Sequence, residues 1–135
     1  MNHHIPTYLA QSVYDIDYNK LYANGKRVIL FDLDNTLAPY DDATPTDKQL
    51  ELNKKLKEIG FRIYILSNNH QKRTKLYTTK FLVDGYLVLA RKPFVYKIKP
   101  FLKKENIEIT NTILIGDQLL TDIKCANKLG LDSVL

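Results

Sequence analysis

The chain has 135 residues, 44% of them hydrophobic and 26% charged, which is typical of a soluble globular protein and predicts a single domain over residues 1–135. Its single cysteine, Cys125, excludes an internal disulfide and a cysteine-based zinc cluster, and no apolar run approaches the ~18 residues that span a bilayer. Twenty Lys and Arg residues against fifteen Asp and Glu residues give a net charge of +5, which favours anionic partners without distinguishing phosphorylated metabolites, nucleic acid and anionic lipid.

The first half of the chain predicts an N-terminal extension, a strand, a helix and a second strand. Residues 1–24 form the extension, in which four tyrosines are expected to pack a helix over the sheet: Tyr8, Tyr14, Tyr18 and Tyr22. Apolar runs predict buried strands at 28–31 and 61–66. Between them, Thr44 and Pro45 predict the N-cap and first position of a helix that ends at Gly60.

The second half of the chain continues the alternation of helices and strands. The predicted helices lie at 71–80, 94–104 and 119–129, and the predicted strands lie at 86–89, 112–115 and, barely begun, 133–135. Pro100 falls inside the second of these helices. Because proline removes a backbone hydrogen bond and clashes with the preceding turn, we expect a kink or a late start there.

Alternating strands and helices with short links predict parallel pairing and right-handed crossovers. The predicted fold class is therefore α/β: a Rossmann-like, doubly wound parallel sheet in three α/β/α layers. Ligands of such sheets bind at the carboxyl ends of the strands. Asp32, Ser67, Lys92 and Asp117 each follow a predicted strand, with successive spacings of 35, 25 and 25 residues. We expect these residues to meet at one edge of the sheet.

This convergence would bring carboxylates together with one ammonium group. Two like charges ~4 Å apart repel by about 4 kcal/mol at an effective dielectric near 20, so Asp32, Asp34 and Asp117 together need a cation, or one of them must stay protonated. Hard oxygen ligands without a Cys or His set indicate Mg²⁺ rather than zinc. Lys92 and the hydroxyl group of Ser67 would then hold the remaining oxygens of a phosphoryl group.

The same residues resemble the motifs of the haloacid dehalogenase (HAD) superfamily. The pattern is DxDxT after the first strand, Ser after the second, Lys after the third and GDxxxxD after the fourth. The local segments DLDNTL, SNN, RKP and GDQLLTD are similar to those of the YqeG branch of IIIA-type phosphatases. The resemblance covers nearly the whole chain. Because such proteins usually continue past the last predicted strand, we expect a truncated or divergent C-terminal end.

The resemblance implies a role for each matching residue. Asp32 would be the nucleophile that forms an aspartyl-phosphate, and Asp34 the general acid and base, which favours a phosphatase over a dehalogenase. Mg²⁺ would be held by the carboxylates of Asp32 and Asp117 and by the backbone carbonyl of Asp34. Asp122 would orient Lys92. The transferring phosphoryl group would be bound by Thr36, Ser67, Asn68 and Lys92.

The spacing of the motifs leaves no room for a cap domain. The interval from Asp34 to Ser67 is filled by one loop, one helix and one strand, and that from Ser67 to Lys92 by one helix and one strand. We therefore expect an open site that admits bulky phosphate monoesters. Candidates are a phospholipid headgroup such as phosphatidylglycerophosphate (on which a related branch acts), sugar phosphates, nucleic-acid ends and phosphoproteins.

Two other classes of function are alternatives to the phosphatase. A receiver-type signalling domain would carry its phosphoacceptor aspartate after the third strand, where this chain has Arg91 and Lys92 instead. A non-catalytic basic α/β module with a vestigial site would bind RNA or a membrane surface, and the intact pair of Asp32 and Asp34 disfavours it. Nucleic acid and peripheral membrane contact stay open as partners, and oligomeric state is not indicated.

The predicted location is cytoplasmic. The first residues lack the basic-then-apolar order of a secretory signal, and no apolar run is long enough for a membrane anchor.

Overall fold

Strands and helices alternate along the computed structural model, which describes residues 12–33, 44–68, 71–92, 94–116 and 124–134. The strands are β1 (Val28–Asp32), β2 (Arg62–Leu66), β3 (Gly85–Leu87), β4 (Thr112–Ile115) and β5 (Asp132–Val134). The helices are α1 (Tyr18–Ala23), α2 (Asp47–Ile59), α3 (Gln71–Tyr77), α4 (Ile98–Lys104) and α5 (Lys124–Leu129), and a 3₁₀ turn at Ile109–Asn111 leads into β4.

The five strands form one parallel sheet in the order β3-β2-β1-β4-β5. From β1 the chain runs outward through β2 and β3, and then crosses to the other side of β1 to form β4 and β5. This confirms the predicted doubly wound parallel sheet. The strand order reverses between β1 and β4, and ligands of such sheets bind at the carboxyl ends of the strands at this switch point.

Both faces of the sheet are covered by helices, which confirms the three-layer α/β/α arrangement. On one face, Ile29 and Phe31 of β1 belong to a buried cluster that includes Leu56 of α2 and Tyr77 of α3. On the other face, the cluster includes Val28, Leu30, Ile98, Leu102, Ala126 and Leu129. Every residue of β1 is buried, as expected for a central parallel strand. The described residues between β1 and β2 form α2, and no cap domain is inserted among them.

Helix α2 begins two residues later than predicted. The prediction of Thr44 as its N-cap is wrong, because Thr46 caps the helix instead. The backbone N–H of Gln49 donates to Thr46 Oγ1 at 3.3 Å, and the N–H of Thr46 donates to Gln49 Oε1 at 3.0 Å. This reciprocal capping box needs Gln three residues after the cap, a partner that Thr44 lacks. The predicted stop at Gly60 is confirmed, with φ at +116°.

Proline 100 lies in the first turn of α4, which starts at Ile98 and not at residue 94. The late start predicted from Pro100 is thus confirmed. The first four N–H groups of a helix have no intrahelical partner, so proline at this position removes no helical hydrogen bond.

Strands β1, β2 and β5 differ from the predicted bounds by one residue at an end, and helix α3 ends at Tyr77 instead of residue 80. Strand β3 ends at Leu87, before the predicted residue 89, because Leu89 has a φ of +48° that no strand can accommodate. Helix α5 is described from Lys124, and the predicted start at residue 119 lies outside the described residues.

The tyrosines at 18 and 22 pack α1 against the start of β2. The Tyr18 ring is buried and meets the ring of Phe61 edge-on at 6.4 Å, and Tyr22 meets the same ring at 5.5 Å. The Tyr18 hydroxyl donates to the carbonyl oxygen of Val13 at 2.6 Å. Tyr14 contacts the same core cluster, and Tyr8 lies outside the described residues. Within the described part of the chain, none of the helices has the length and apolar character needed to cross a membrane.

Candidate active site

A buried ion pair lies at the carboxyl end of the sheet. Asp32 is the last residue of β1, and its Oδ1 accepts a hydrogen bond from Lys92 Nζ at 2.8 Å. The side chains of Lys92 and Asp32 are only 2% and 10% exposed. Lys92 Nζ also donates to the carbonyl oxygen of Leu66 at 3.3 Å. Removing two charges from water is costly, so such a pair beside a topological switch point is a candidate for chemistry.

The loop after β3 carries Lys92 to this position because it is tied to the end of β2. The N–H of Ser67 donates to the carbonyl oxygen of Leu87, and the N–H of Ala90 donates to the carbonyl oxygen of Ser67, both at 2.9 Å. At the next residue, the hydrogen bonds to this loop are made by the side chain of Asn68 and not by its backbone. Its Oδ1 accepts from the N–H of Lys92 at 2.9 Å, and its Nδ2 donates to the Lys92 carbonyl oxygen at 3.1 Å.

The backbone on the N-terminal side of Lys92 is strained. Leu89 and Arg91 have φ values of +48° and +64°. A left-handed conformation costs a non-glycine residue about 1–2 kcal/mol, and such strain persists where the surroundings impose it. The hydrogen bonds of Ala90 and Asn68 impose it here. The double contact between Asn68 and Lys92, which we call the Asn68 clamp, therefore helps to aim Lys92 at Asp32.

The structure brings together four of the predicted site residues. Asp32, Ser67, Asn68 and Lys92 lie at one sheet edge, with Ser67 fully buried beneath it. We predicted Asn68 as a phosphate ligand, whereas its side-chain amide in the structure holds the Lys92 backbone. No signal in the sequence marks this contact, since the two residues lie 24 positions apart.

The other predicted site residues lie outside the described part of the chain: Asp34, Thr36, Asp117 and Asp122. Their roles stay predictions. The parallel register pairs Phe31 with Ile115, so β1 and β4 end side by side just before Asp34 and Asp117. Among the described residues, no group of three or more His, Cys, Asp or Glu side chains could hold a metal ion. Of the three predicted Mg²⁺ ligands, Asp32 alone lies in the described part of the chain.

The chain matches a known protein family along almost its full length. A family model described as mitochondrial PGP phosphatase matches residues 2–135. The chain is also 30% identical over 131 residues to "Probable phosphatase YqeG" of Bacillus subtilis (strain 168). That alignment covers 97% of this chain and 76% of the Bacillus protein.

Solved structures share the fold at low sequence identity. An uncharacterized protein from Listeria monocytogenes serotype 4b superposes with a TM-score of 0.66 at 21% identity, covering 81% of this chain and 78% of that one. The N-terminal part of BF1531 from Bacteroides fragilis, which contains a phosphatase domain and is complexed with Mg, superposes with a TM-score of 0.63 at 16% identity. This second match covers 85% of this chain and 37% of the Bacteroides chain.

The family match and the Bacillus relative agree with the resemblance inferred from the motifs, and the structural matches agree with the observed fold. The chain therefore belongs to the mitochondrial PGP phosphatase family and is a phosphatase of the HAD superfamily.

Proposed function

We propose that this phosphatase hydrolyses a phosphate monoester in an Mg²⁺-dependent reaction that proceeds through an aspartyl-phosphate on Asp32. The observation that supports it most directly is the buried contact of 2.8 Å between Asp32 Oδ1 and Lys92 Nζ at the switch point of the sheet. A phosphoryl group carries negative charge, and a carboxylate nucleophile repels it. The adjacent ammonium group offsets that repulsion.

The reaction has two steps in this proposal. A carboxylate oxygen of Asp32 attacks phosphorus, the bond from phosphorus to the ester oxygen breaks, and Asp34 gives its proton to the leaving oxygen. Asp34, now ionised, then takes a proton from a water molecule that attacks the aspartyl-phosphate. Inorganic phosphate leaves, the Asp32 carboxylate is regenerated, and Asp34 is again protonated.

Lys92 and its neighbours hold the phosphoryl group in the same proposal. The ammonium of Lys92 and the groups of Thr36, Ser67 and Asn68 bind its non-reacting oxygens, and Asp122 orients Lys92. Since the Asn68 side chain already holds the Lys92 backbone, the contact that we propose between Asn68 and phosphate uses its backbone N–H. Positioning and charge compensation are most of what phosphoryl transfer requires of a protein.

The donor set fits a magnesium ion. Asp32 offers a hard carboxylate oxygen at the sheet edge, which suits Mg²⁺, and β1 and β4 end side by side there. In the proposal the carboxylates of Asp32 and Asp117 and the backbone carbonyl of Asp34 hold the ion. When bound, Mg²⁺ supplies positive charge to the phosphoryl oxygens. A related fold solved in complex with Mg supports this choice of metal.

For the substrate we propose a phosphate monoester on a phospholipid headgroup, such as phosphatidylglycerophosphate. The family description and the absence of an inserted cap domain among the described residues support an open site for a bulky ester. We further propose that residues 1–135 form one domain and that the enzyme works in the cytoplasm.

Hydrolysis of p-nitrophenyl phosphate by the purified chain tests the chemistry. We expect phosphate release that requires added Mg²⁺, stops with EDTA, and falls below about 1% of the wild-type rate in Asp32→Asn, because an amide is a poor nucleophile. Asp47→Asn is the matched control, since Asp47 is an exposed aspartate in the first turn of α2. Wild-type activity in Asp32→Asn would remove Asp32 as the nucleophile. An inactive wild-type chain that binds RNA with a steep salt dependence would instead favour the non-catalytic basic module.

A further inference from the structure

Two aromatic side chains are unusually exposed beside the active site. Tyr96 is 65% exposed and Phe94 is 60% exposed, the highest values for large hydrophobic side chains in the described part of the chain. Both follow Lys92 closely in sequence. Isolated exposed hydrophobic residues need no explanation, but two exposed rings within four positions of a proposed catalytic lysine do.

The turn that carries these rings is tied to the active-site loop. The N–H of Phe94 donates to the carbonyl oxygen of Arg91 at 2.9 Å, and Lys97 Nζ donates to the carbonyl oxygen of Leu89 at 2.9 Å. The segment that carries the rings is therefore held to the loop that carries Lys92.

The surroundings of the rings are strongly basic. Residues 91–104 contain six Lys and Arg residues and no Asp or Glu residue. Arg91 and Lys99 are exposed, and the ammonium of Lys128 on α5 lies 5.4 Å from the centre of the Phe94 ring. We call the group of Arg91, Phe94, Tyr96, Lys99 and Lys128 the rim surface.

We propose that the rim surface docks the enzyme on an anionic lipid bilayer, so that the active site faces phosphate monoesters carried by lipid headgroups. The inference rests on the proposed function, because it supplies the route by which a lipid substrate reaches Asp32. Aromatic rings favour the headgroup layer of a membrane, and each Lys or Arg near an anionic surface adds to the attraction. The rim surface combines both features.

The arrangement of the rings favours a membrane over a nucleic acid. Single-stranded RNA stacks its bases along aromatic side chains that line a groove or a sheet. Here the two rings lie two positions apart in the chain, with more than half of each side chain exposed. The ammonium of Lys128 lies beside one of these rings, as expected for a surface that meets an anionic headgroup layer.

Vesicle sedimentation measures docking without any turnover. The probes are phosphatidylcholine vesicles with and without phosphatidylglycerol at about a third of the lipid, which supplies the negative surface charge. We expect binding to the anionic vesicles only, weakened about tenfold or more in the double variant Phe94→Ala/Tyr96→Ala, because two apolar rings no longer enter the interface. The matched control is Leu76→Ala/Leu82→Ala, which removes two exposed apolar side chains (45% and 57% exposed) on the α3 side of the sheet.

The basic residues are tested in the same way. Lys99→Gln/Lys128→Gln should lower the affinity for anionic vesicles several-fold and reduce its salt dependence. Lys54→Gln/Lys72→Gln removes two exposed lysines on α2 and α3 and should leave the affinity within about twofold. Equal losses in both pairs would mean that net charge alone drives binding, and that result would overturn the rim surface.

A fluorescence measurement tests insertion of the rim surface directly, without relying on variants that lose binding and could also be misfolded. The chain contains no tryptophan, so Phe94→Trp and Ile109→Trp each introduce a single reporter. We expect the emission of the residue 94 reporter to shift to the blue when anionic vesicles are added, and that of the residue 109 reporter to stay unchanged. Unshifted emission at residue 94 in a variant that sediments with the vesicles would refute insertion at the rim surface.

These outcomes separate the surface from the chemistry. Asp32→Asn should bind vesicles like the wild type, because the rim surface does not include the ion pair. A wild-type chain that hydrolyses p-nitrophenyl phosphate but does not bind anionic vesicles would overturn the rim surface and leave the proposed function intact. Tight binding of single-stranded RNA that is lost in Phe94→Ala/Tyr96→Ala, without binding to vesicles, would reassign the surface to nucleic acid.

Discussion

The Asn68 clamp makes a measurable prediction about catalysis. In Asn68→Ala, the backbone N–H and carbonyl of Lys92 lose hydrogen bonds of 2.9 and 3.1 Å. Each bond contributes about 1 kcal/mol to the free energy of unfolding, and more where the freed group stays buried. Lys92 as a whole residue, backbone included, is only 6% exposed. The left-handed residues Leu89 and Arg91 add strain of about 1–2 kcal/mol each, which the clamp no longer opposes.

The free energy lost with the two hydrogen bonds is similar to the strain energy of the two left-handed residues. In the variant, the loop should therefore spend much of its time in conformations in which Lys92 does not contact Asp32. Because a factor of ten corresponds to about 1.4 kcal/mol, we expect kcat for p-nitrophenyl phosphate to fall about ten- to a hundredfold. Thermal unfolding should occur about 5 °C lower, the shift expected for 1–2 kcal/mol in a domain of this size.

The chain provides a matched control in Asn53. Its side chain makes the same double contact with the backbone of Leu82, at 2.9 Å from the N–H and 2.8 Å from the carbonyl oxygen. Asn53→Ala should therefore lower the unfolding temperature at least as much as Asn68→Ala while leaving kcat within about twofold, since Leu82 precedes β3 and Lys92 follows it, at the opposite end of that strand.

A partial substitution tests the clamp further. Asn68→Asp keeps the acceptor for the Lys92 N–H but loses the donor to its carbonyl oxygen, so kcat should fall between the wild-type and Asn68→Ala values. Our reasoning fails if Asn68→Ala retains wild-type kcat, or if Asn53→Ala lowers kcat by the same factor.

Three other predictions concern single side chains. Lys92→Met should lower kcat about a hundredfold or more without loss of folding, as judged by steady-state kinetics and circular dichroism, because the group that offsets phosphoryl charge is gone; near-normal kcat would exclude that role. Burial, with a smaller contribution from Tyr14, raises the pKa of Tyr18 above its ordinary value of 10.0, so above pH 10 only the unfolded state ionises and the free energy of unfolding falls. Urea unfolding between about pH 8 and pH 11 should show this fall in the wild type and a smaller one in Tyr18→Phe, and equal slopes would contradict it. Gly60→Ala should reduce the free energy of unfolding by about 1–2 kcal/mol in urea, because φ is +116° and the added Cβ would lie 3.0 Å from the Tyr22 hydroxyl; an unchanged midpoint would contradict it.

The sequence by itself determined the order of the elements and the edge at which the chemistry lies. Apolar runs such as β1 and β4 are buried on both faces wherever parallel strands pair, and the links between them are too short for another topology. The polar residues that follow each strand then share one edge. Asp32 and Lys92 could be placed together on this basis, although they lie 60 positions apart.

The start of helix α2 was harder to predict from the sequence, because two neighbouring threonines compete as its N-cap. Thr44 followed by Pro45 and Thr46 followed by Gln49 are both plausible starts for α2, and each satisfies a rule for helix N-termini. The structure selects Thr46, because Gln49 returns a hydrogen bond to the cap and also accepts one from the buried hydroxyl of Tyr77 at 2.8 Å. That second contact comes from α3, beyond any window of local sequence.

The tertiary structure alone decided how Lys92 is held. The left-handed backbone at Leu89 and Arg91 is disfavoured for both residue types, and the contacts that impose it come from Ser67 and Asn68 at the end of the neighbouring strand. Periodicity and motif spacing report which residues reach the edge of the sheet. The hydrogen bonds that orient them form only once β2 and β3 are paired, because the groups involved belong to residues twenty or more positions apart.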